Sequence, residues 1–188
     1  GLLQKYQSRV LLITTAGCAI NCRYCFRRNF PYRDHRAGDH QQALDAIAED
    51  TSVHEVILSG GDPLLLGDAQ LQQLLATIDA IPHVQRIRIH SRIPIVLPQR
   101  TTQGLLDALQ QRRCHTVMVV HSNHPNELNA QTLRDFTCLK QVGTTLLNQS
   151  VLLRGINDDP QVLAKLSIQL FEQGVLPYYL HLTDHVAG

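Results

Sequence analysis

Long hydrophobic runs, blocks of like charge and an even framework of cysteines are all missing from this sequence. No apolar stretch approaches the roughly 20 residues that a membrane span needs. No basic segment leads into an apolar one at the start, so no signal peptide is read. Net charge is +1, from 17 Lys and Arg against 16 Asp and Glu, with no basic block to meet nucleic acid or an anionic membrane. Five cysteines, three of them clustered, do not make the disulfide framework of a small secreted domain. Lysine is scarce too: Lys5, Lys140 and Lys165 are the three in 188 residues. These absences point to a cytoplasmic protein with neither nucleic acid nor membrane as partner. Gly1 stands where a methionine would begin a whole chain, as expected of an excised or processed segment. At 188 residues and 44% apolar content the chain fills one sizeable core, and residues 1–188 are read as a single domain.

What is present is concentrated in Cys18-Ala-Ile-Asn-Cys22-Arg-Tyr-Cys25, a C-x3-C-x2-C run directly after the apolar segment Val10 to Thr15. Three thiolates are one ligand short of closing a tetrahedral metal site or filling a four-iron cube, and soft sulfur selects zinc or iron-sulfur clusters. In a cube, one iron stays open to a chelating small molecule. Two other readings use the same residues: a zinc knuckle completed by a histidine such as His35, and three unrelated buried cysteines. A strand-to-helix turn without a second pair of ligands favours the cluster. Cys114 and Cys138 read as small buried apolar groups. The spacing, with aromatic Tyr24 before the last cysteine, resembles the signature of radical S-adenosylmethionine enzymes.

Apolar, β-branched segments predict strands at Val10 to Thr15, Val56 to Ser59, Ile87 to His90, Val117 to His121, Thr144 to Val151 and Val175 to Leu182. Helices alternate with them. Leu71, Leu74, Leu75 and Ile78 form an i, i+3, i+4, i+7 stripe, and Asp159-Pro160 and Gly174 bracket another helix. Further helices are predicted over Asp39 to Asp50, Thr102 to Gln111 and Asn129 to Gln141. Strict alternation implies right-handed crossovers and a parallel sheet. The fold expected is α/β, an incomplete (β/α)6 TIM-like barrel of parallel strands. Its functional groups project from the strands' carboxyl ends. There the sequence has the cysteine loop, Ser59-Gly60-Gly61-Asp62-Pro63, His90-Ser91-Arg92, His121-Ser122-Asn123-His124, Asn148-Gln149 and Asp184. Loops are polar anyway, and each alone reads as a turn or cap. Six on one rim make a site. Gly60 and Gly61 remove side chains so that backbone carbonyls can approach a ligand, and Asp62 adds negative charge beside them.

Leu11-Leu-Ile-Thr-Thr-Ala-Gly-Cys18, Cys22-Arg-Tyr-Cys-Phe-Arg-Arg28, Ser59-Gly-Gly-Asp-Pro-Leu64, His121-Ser-Asn-His-Pro-Asn-Glu127, Asn148-Gln-Ser-Val-Leu-Leu-Arg-Gly-Ile-Asn-Asp158 and Leu176-Pro-Tyr-Tyr-Leu-His181 together resemble the lysine 2,3-aminomutase family. The likeness spans nearly the whole chain and leans to the bacterial branch that makes β-lysine for elongation factor P. It implies a radical S-adenosylmethionine core with three cofactors: a 4Fe-4S cluster on Cys18, Cys22 and Cys25, S-adenosylmethionine lined by Gly60, Gly61, Asp62, His121 and Gln149, and pyridoxal 5'-phosphate contacted by Tyr6 and Arg9. It gives Arg27 the substrate carboxylate and Asp184 the side-chain ammonium of lysine. The activity implied moves the α-amino group of lysine to the β-carbon, with lysine as small-molecule substrate and a reducing electron donor such as flavodoxin or ferredoxin as partner. A homo-oligomer is compatible with it.

Pyridoxal phosphate enzymes also need an anchoring lysine. Lys5 precedes the first predicted strand, and Lys140 and Lys165 fall in predicted helices, so none stands at a strand's carboxyl end. The resemblance places that lysine, the catalytic one, beyond Gly188, and the chain reads as a radical core without its terminal segments. A 2,3-aminomutase for another amino acid, a radical enzyme without pyridoxal phosphate, and a zinc-stabilised binding protein remain the alternatives.

Overall fold

The computed structural model describes residues 2–25, 40–110 and 112–183. Seven strands, β1 Leu2–Tyr6, β2 Arg9–Thr15, β3 Glu55–Gly60, β4 Arg86–Ser91, β5 His115–Val120, β6 Thr145–Val151 and β7 Val175–His181, lie side by side in chain order. All neighbours from β2 to β7 run parallel. Between them stand α1 Gln41–Glu49, α2 Asp68–Asp79, the single turn α3 Ile93–Val96, α4 Gln103–Leu109, α5 Ala130–Gln141 and α6 Pro160–Glu172. A doubly wound sheet reverses its order at a switch point. This one never reverses.

Side-chain alternation along the strands explains the layering. Val10, Leu12, Val56, Leu58, Ile87, Ile89, Met118, Val120, Leu146 and Val175 face one way, and they form one buried cluster with Ile47 of α1, the Leu71-Leu74-Leu75-Ile78 stripe of α2, Leu105 of α4, Phe136 of α5 and Leu166 and Leu170 of α6. Every long helix therefore covers the same face. Val117, Val119 and Leu147 point the other way, against Tyr179, into the concave side of an open barrel. The six predicted strands are present within two residues, and Asp159 caps α6 by accepting from the Gln161 amide at 2.8 Å. Gly174, at φ 68°, ends the same unit.

One element departs from expectation. β1 is a strand where a lead-in was read, and it pairs antiparallel with β2, so the sheet is not parallel throughout. Gln7 and Ser8 join the pair, with Ser8 in the left-handed region at φ 64°. Hairpins of this length usually advertise themselves with Asn-Gly or Gly-Gly, and Gln-Ser gives no such signal. At the opposite edge, Leu176, Tyr178 and Leu180 of β7 are about half exposed, as a terminal strand's apolar residues are when nothing among the described residues covers them.

Phe136 is the largest side chain that is fully buried, at the centre of the sheet-helix layer. Phe136→Ala is expected to cost about 3–5 kcal/mol through lost transfer energy and the cavity left behind, read as a lowered midpoint in urea unfolding at unchanged slope.

Candidate active site

The rim is built from its backbone first. After β2 the chain turns at Thr15–Gly17, where the Gly17 amide donates to Thr15 Oγ1 at 3.1 Å. The turn after β3 lies directly on this segment: the Gly61 amide donates to the Thr15 carbonyl at 2.6 Å and the Asp62 amide to the Gly17 carbonyl at 2.8 Å. Both glycines are demanded by that approach. Gly60 sits at φ +114°, and a Cβ there would stand 2.7 Å from the Thr15 carbonyl oxygen; a Cβ on Gly61 would run into the Gly17 carbonyl. Asp62 is 6% exposed and its carboxylate is fully used. Oδ1 accepts from Ser91 Oγ at 2.7 Å and the Leu64 amide at 3.1 Å, while Oδ2 accepts from the amides of Arg92 at 2.8 Å and Ile93 at 3.2 Å. Burial pushes its carboxyl up from the usual range, against the four hydrogen bonds that hold it down. Asp62 thus ties the turn after β3 to the turn after β4.

None of the five cysteines is in a disulfide. Cys18 is exposed, Cys22 and Cys25 are half-buried, and the Cys25 amide donates to the Cys22 carbonyl at 3.1 Å. Burial raises the Cys22 thiol above its ordinary value, and the Arg92 guanidinium pulls it back down. Among the described residues no three His, Cys, Asp or Glu groups converge on one point where a single ion could sit. A cube needs no such convergence, because it binds each thiolate through a different iron. The donor set of three thiols on one turn fits a 4Fe-4S cluster. His35, the proposed zinc partner, lies outside the described residues.

Tyr24, between the last two thiols, reaches across the rim. Its hydroxyl accepts from Asn123 Nδ2 at 2.7 Å, and the Arg92 guanidinium lies over its ring at 5.5 Å. Arg92 donates through Nη2 to Glu127 Oε1 at 2.8 Å. Its Nε and Nη1 are buried with no partner among the described residues. Glu127 also accepts from the amides of Asn123 and His124 and from Ser122 Oγ. The carboxylate of a bound amino-acid moiety would satisfy one of the orphaned nitrogens of Arg92, so the rim also fits S-adenosylmethionine. His121 stands beside His90, ring centroids 5.7 Å apart, and His90 is 6.4 Å from Tyr179. Gln149 is half-buried at the register shift between Asn148 and Gln149 on β6.

Deeper on the concave face, Glu55 is 2% exposed and receives three arginines: Arg9 at 3.1 Å, Arg86 at 3.3 Å and Arg88 at 2.6 Å. Arg9, Glu55 and Arg86 are the first residues of β2, β3 and β4, so this cluster lies at the strands' amino ends. Arg88 is buried with Nη1 unpartnered among the described residues, its guanidinium 5.8 Å from the Tyr178 ring centroid. One carboxylate against three guanidiniums leaves positive charge over, which fits a phosphate dianion. Of the residues read from the sequence, the structure gathers the cysteines, Gly60, Gly61 and Asp62 at the rim, sets His121 just past the end of β5 and Gln149 on the neighbouring β6, and puts Arg9 in this lower cluster. Arg27 and Asp184 lie outside the described residues, as does the side chain of Tyr6. Sequence reasoning missed Glu55, Arg88 and Glu127. The signal for the first two was a charge at an inward position of an otherwise apolar strand.

Comparison with known proteins follows the same lines. The Radical SAM superfamily model matches residues 12–166. Along 100% of its length the chain is 52% identical to the L-lysine 2,3-aminomutase of Haemophilus influenzae and 49% identical to that of Escherichia coli, over 190 residues and 56% of each. Identity to the L-lysine 2,3-aminomutase of Clostridium subterminale is 41% over 192 residues, 46% of that protein. The chain thus spans about half the length of the curated relatives it matches. Among solved structures, coproporphyrinogen III oxidase from Escherichia coli, a radical SAM enzyme, superposes with TM-score 0.58 at 14% identity over 96% of this chain and 45% of that one. A radical S-adenosylmethionine methyltransferase from Kitasatospora setae gives 0.57 at 13%, over 92% and 36%. Both likenesses concern the fold.

Gly61→Ala is expected to destabilise the protein by about 3 kcal/mol, because the intruding methyl meets backbone that cannot rotate away. Gly143→Ala, in open space at φ +86°, should lose only the roughly 1–2 kcal/mol of a left-handed alanine. Thermal melts of the two variants measured together check the contrast; equal losses would mean that the two loops do not depend on the contact.

Proposed function

The chain belongs to the Radical SAM superfamily, and from that membership we propose that it forms the radical core of an L-lysine 2,3-aminomutase, an isomerase that moves the α-amino group of lysine to the β-carbon. The observation that carries the reading is the packing of a three-thiol turn onto the Gly60-Gly61-Asp62 turn at the carboxyl rim of an open barrel. The 52% identity along the whole chain to an aminomutase supports the choice of reaction.

When bound, the cluster and S-adenosylmethionine supply one-electron chemistry that removes a hydrogen from carbon, and pyridoxal phosphate supplies a π-system across which nitrogen can migrate. The chain's own residues bind, orient and shield. Cys18, Cys22 and Cys25 hold three irons. The carbonyls of the Gly60-Gly61 turn accept from the ammonium of S-adenosylmethionine, with Asp62 fixing the turn from behind. Arg92 takes that molecule's carboxylate on a nitrogen that Glu127 leaves open, and His121 and Gln149 line its flank. Arg9, with Arg88 and Arg86 behind it and Tyr6 beside it, meets the pyridoxal phosphate. Arg27 pairs with the substrate carboxylate, and Asp184 receives the lysine side-chain ammonium. The apolar residues of the concave face, Val117, Val119 and Leu147, keep water from the reacting carbon.

The anchoring lysine for pyridoxal phosphate we assign to polypeptide outside these 188 residues. Lys140 lies on α5 and donates to the Gln173 carbonyl at 2.6 Å, and Lys165 lies on α6, both in the outer helical layer. Five cysteines without a disulfide support a reducing compartment, the cytoplasm. Among the described residues no helix is long and apolar enough to cross a membrane. A flavodoxin or ferredoxin would deliver the electron, and β-lysine would serve elongation factor P.

Anaerobic reconstitution is expected to give about four irons per chain, and Cys22→Ala to abolish reductive cleavage of S-adenosylmethionine while the barrel still melts cooperatively. Stoichiometric zinc without iron-sulfur absorption would reject the reading. Substrate choice turns on Asp184, because a carboxylate attracts the ammonium of lysine and repels the side chain of glutamate. In the whole enzyme Asp184→Asn should lose at least tenfold in kcat/KM for lysine, about 1.4 kcal/mol. Competition between labelled lysine and glutamate measures the preference; equal turnover of glutamate would remove Asp184 from the site.

A further inference from the structure

Residues 16–21 of the cysteine loop are exposed, and the loop's second half is half-buried at Cys22, Tyr24 and Cys25. What buries it is Tyr24, whose hydroxyl meets Asn123, a residue 99 positions away. Asn123 is 3% exposed and has no freedom to turn. Its Oδ1 accepts from the Val151 amide at 2.9 Å, its carbonyl accepts from Asn157 Nδ2 at 2.7 Å, and its own amide donates to Glu127. Asn157 is itself fully buried, donates to the Val151 carbonyl at 3.0 Å and accepts from the Leu153 amide at 2.7 Å. Flipping the Asn123 amide would turn its nitrogen toward the Val151 amide and its oxygen toward Tyr24, so the orientation is set by the end of β6. On the ring face, Arg92 is held by Glu127.

We propose that Tyr24 and Asn123 form a clamp that positions Cys22 and Cys25, registering the cluster loop against the end of β6. Tyr24 and Asn123 act here as positioning residues: neither ligates iron, and both act through the thiols that flank Tyr24. The clamp rests on the cluster reading for its purpose but not for its existence, which is a hydrogen bond between two side chains of the chain itself. Gln149 stands two residues before Val151, so the same anchor ties the cluster loop to the strand that lines the S-adenosylmethionine flank.

The test begins with the whole protein free of iron. Iodoacetamide alkylation of Cys22 and Cys25, followed by peptide mass spectrometry at one pH, is expected to run about fivefold faster in Tyr24→Phe and in Asn123→Ala, the factor that corresponds to the roughly 1 kcal/mol of one hydrogen bond. Buried Cys114, whose thiol burial pushes up to about 11, should be unchanged and serves as the internal control. The double variant should be no faster than the faster single one, since both remove the same contact. In reconstituted protein, the electron paramagnetic resonance signal of the reduced cluster with S-adenosylmethionine should change in Tyr24→Phe at unchanged iron content. Parental alkylation rates in Tyr24→Phe, or additive acceleration in the double variant, would overturn the clamp. Tyr24→Phe decides alone if Asn123→Ala does not fold. Zinc in place of iron in the parent protein would sink the functional reading while leaving the alkylation result to stand.

Discussion

At the mouth of the barrel two backbones meet with no side chain between them, and everything at the rim is set by that meeting. The Thr15 and Gly17 carbonyls accept from the Gly61 and Asp62 amides across a gap that a single Cβ would close. A backbone contact cannot be adjusted by rotamer changes as a side-chain contact can, so it fixes the stem of the cysteine loop at sub-ångström tolerance. Asp62 then carries this fixed point onward. Its four hydrogen bonds bind the turn after β4, and burying a carboxylate is tolerable because those donors replace the water it lost.

The concave face sorts its chemistry by height. Charge lies at the amino ends of β2, β3 and β4, where Glu55 faces Arg9, Arg86 and Arg88; toward the carboxyl ends the rings of His90, His121 and Tyr179 approach one another, and the thiols stand on the loop after β2. A buried ion cluster of this kind is a poor source of stability, since desolvation offsets much of the attraction. Apolar residues at the same inward positions would serve the core as well. The surplus cation there, with one Arg88 nitrogen lacking any partner among the described residues, makes sense as a surface prepared for an anion.

Much of this could be seen in the sequence, for physical reasons that differ by element. The Leu71-Leu74-Leu75-Ile78 stripe and the Asp159-Pro160 start are local signals, and both elements stand where periodicity and capping placed them. Strand order followed from strict alternation. β1 was hidden because its turn is closed by Ser8 in a left-handed conformation that serine gives no hint of. The double glycine was visible, but not its cause: the contact partner at Gly17 lies more than forty residues away and has no pattern of its own. Arg92, Asn123 and Asp184 could be picked out as polar rim residues, whereas Glu127 looked like an ordinary acid in a turn after a proline. Its role exists only through Arg92 and Asn123, and pairings at that separation leave no trace in one chain's spacing.

The rim hydrogen bonds connect in series rather than around a hub. Thr15–Gly17 holds Gly61–Asp62; Asp62 holds Ser91–Ile93; Arg92 holds Glu127; Glu127 holds Asn123; Asn123 holds Val151, Asn157 and, closing the circuit, Tyr24 of the loop where the series began. The cysteine loop is therefore fixed at both ends, by backbone at its stem and by the tyrosine hydroxyl at its far side. A closed circuit of polar groups, several of them buried, responds as a unit, because loosening one link leaves its buried neighbours unsatisfied. Parallel strands bring only their ends to the rim, and loops of different lengths leave those ends at different heights. The circuit joins those ends, and so Tyr24, between Cys22 and Cys25, is tied to an asparagine ninety-nine residues away as directly as to its neighbours in the loop.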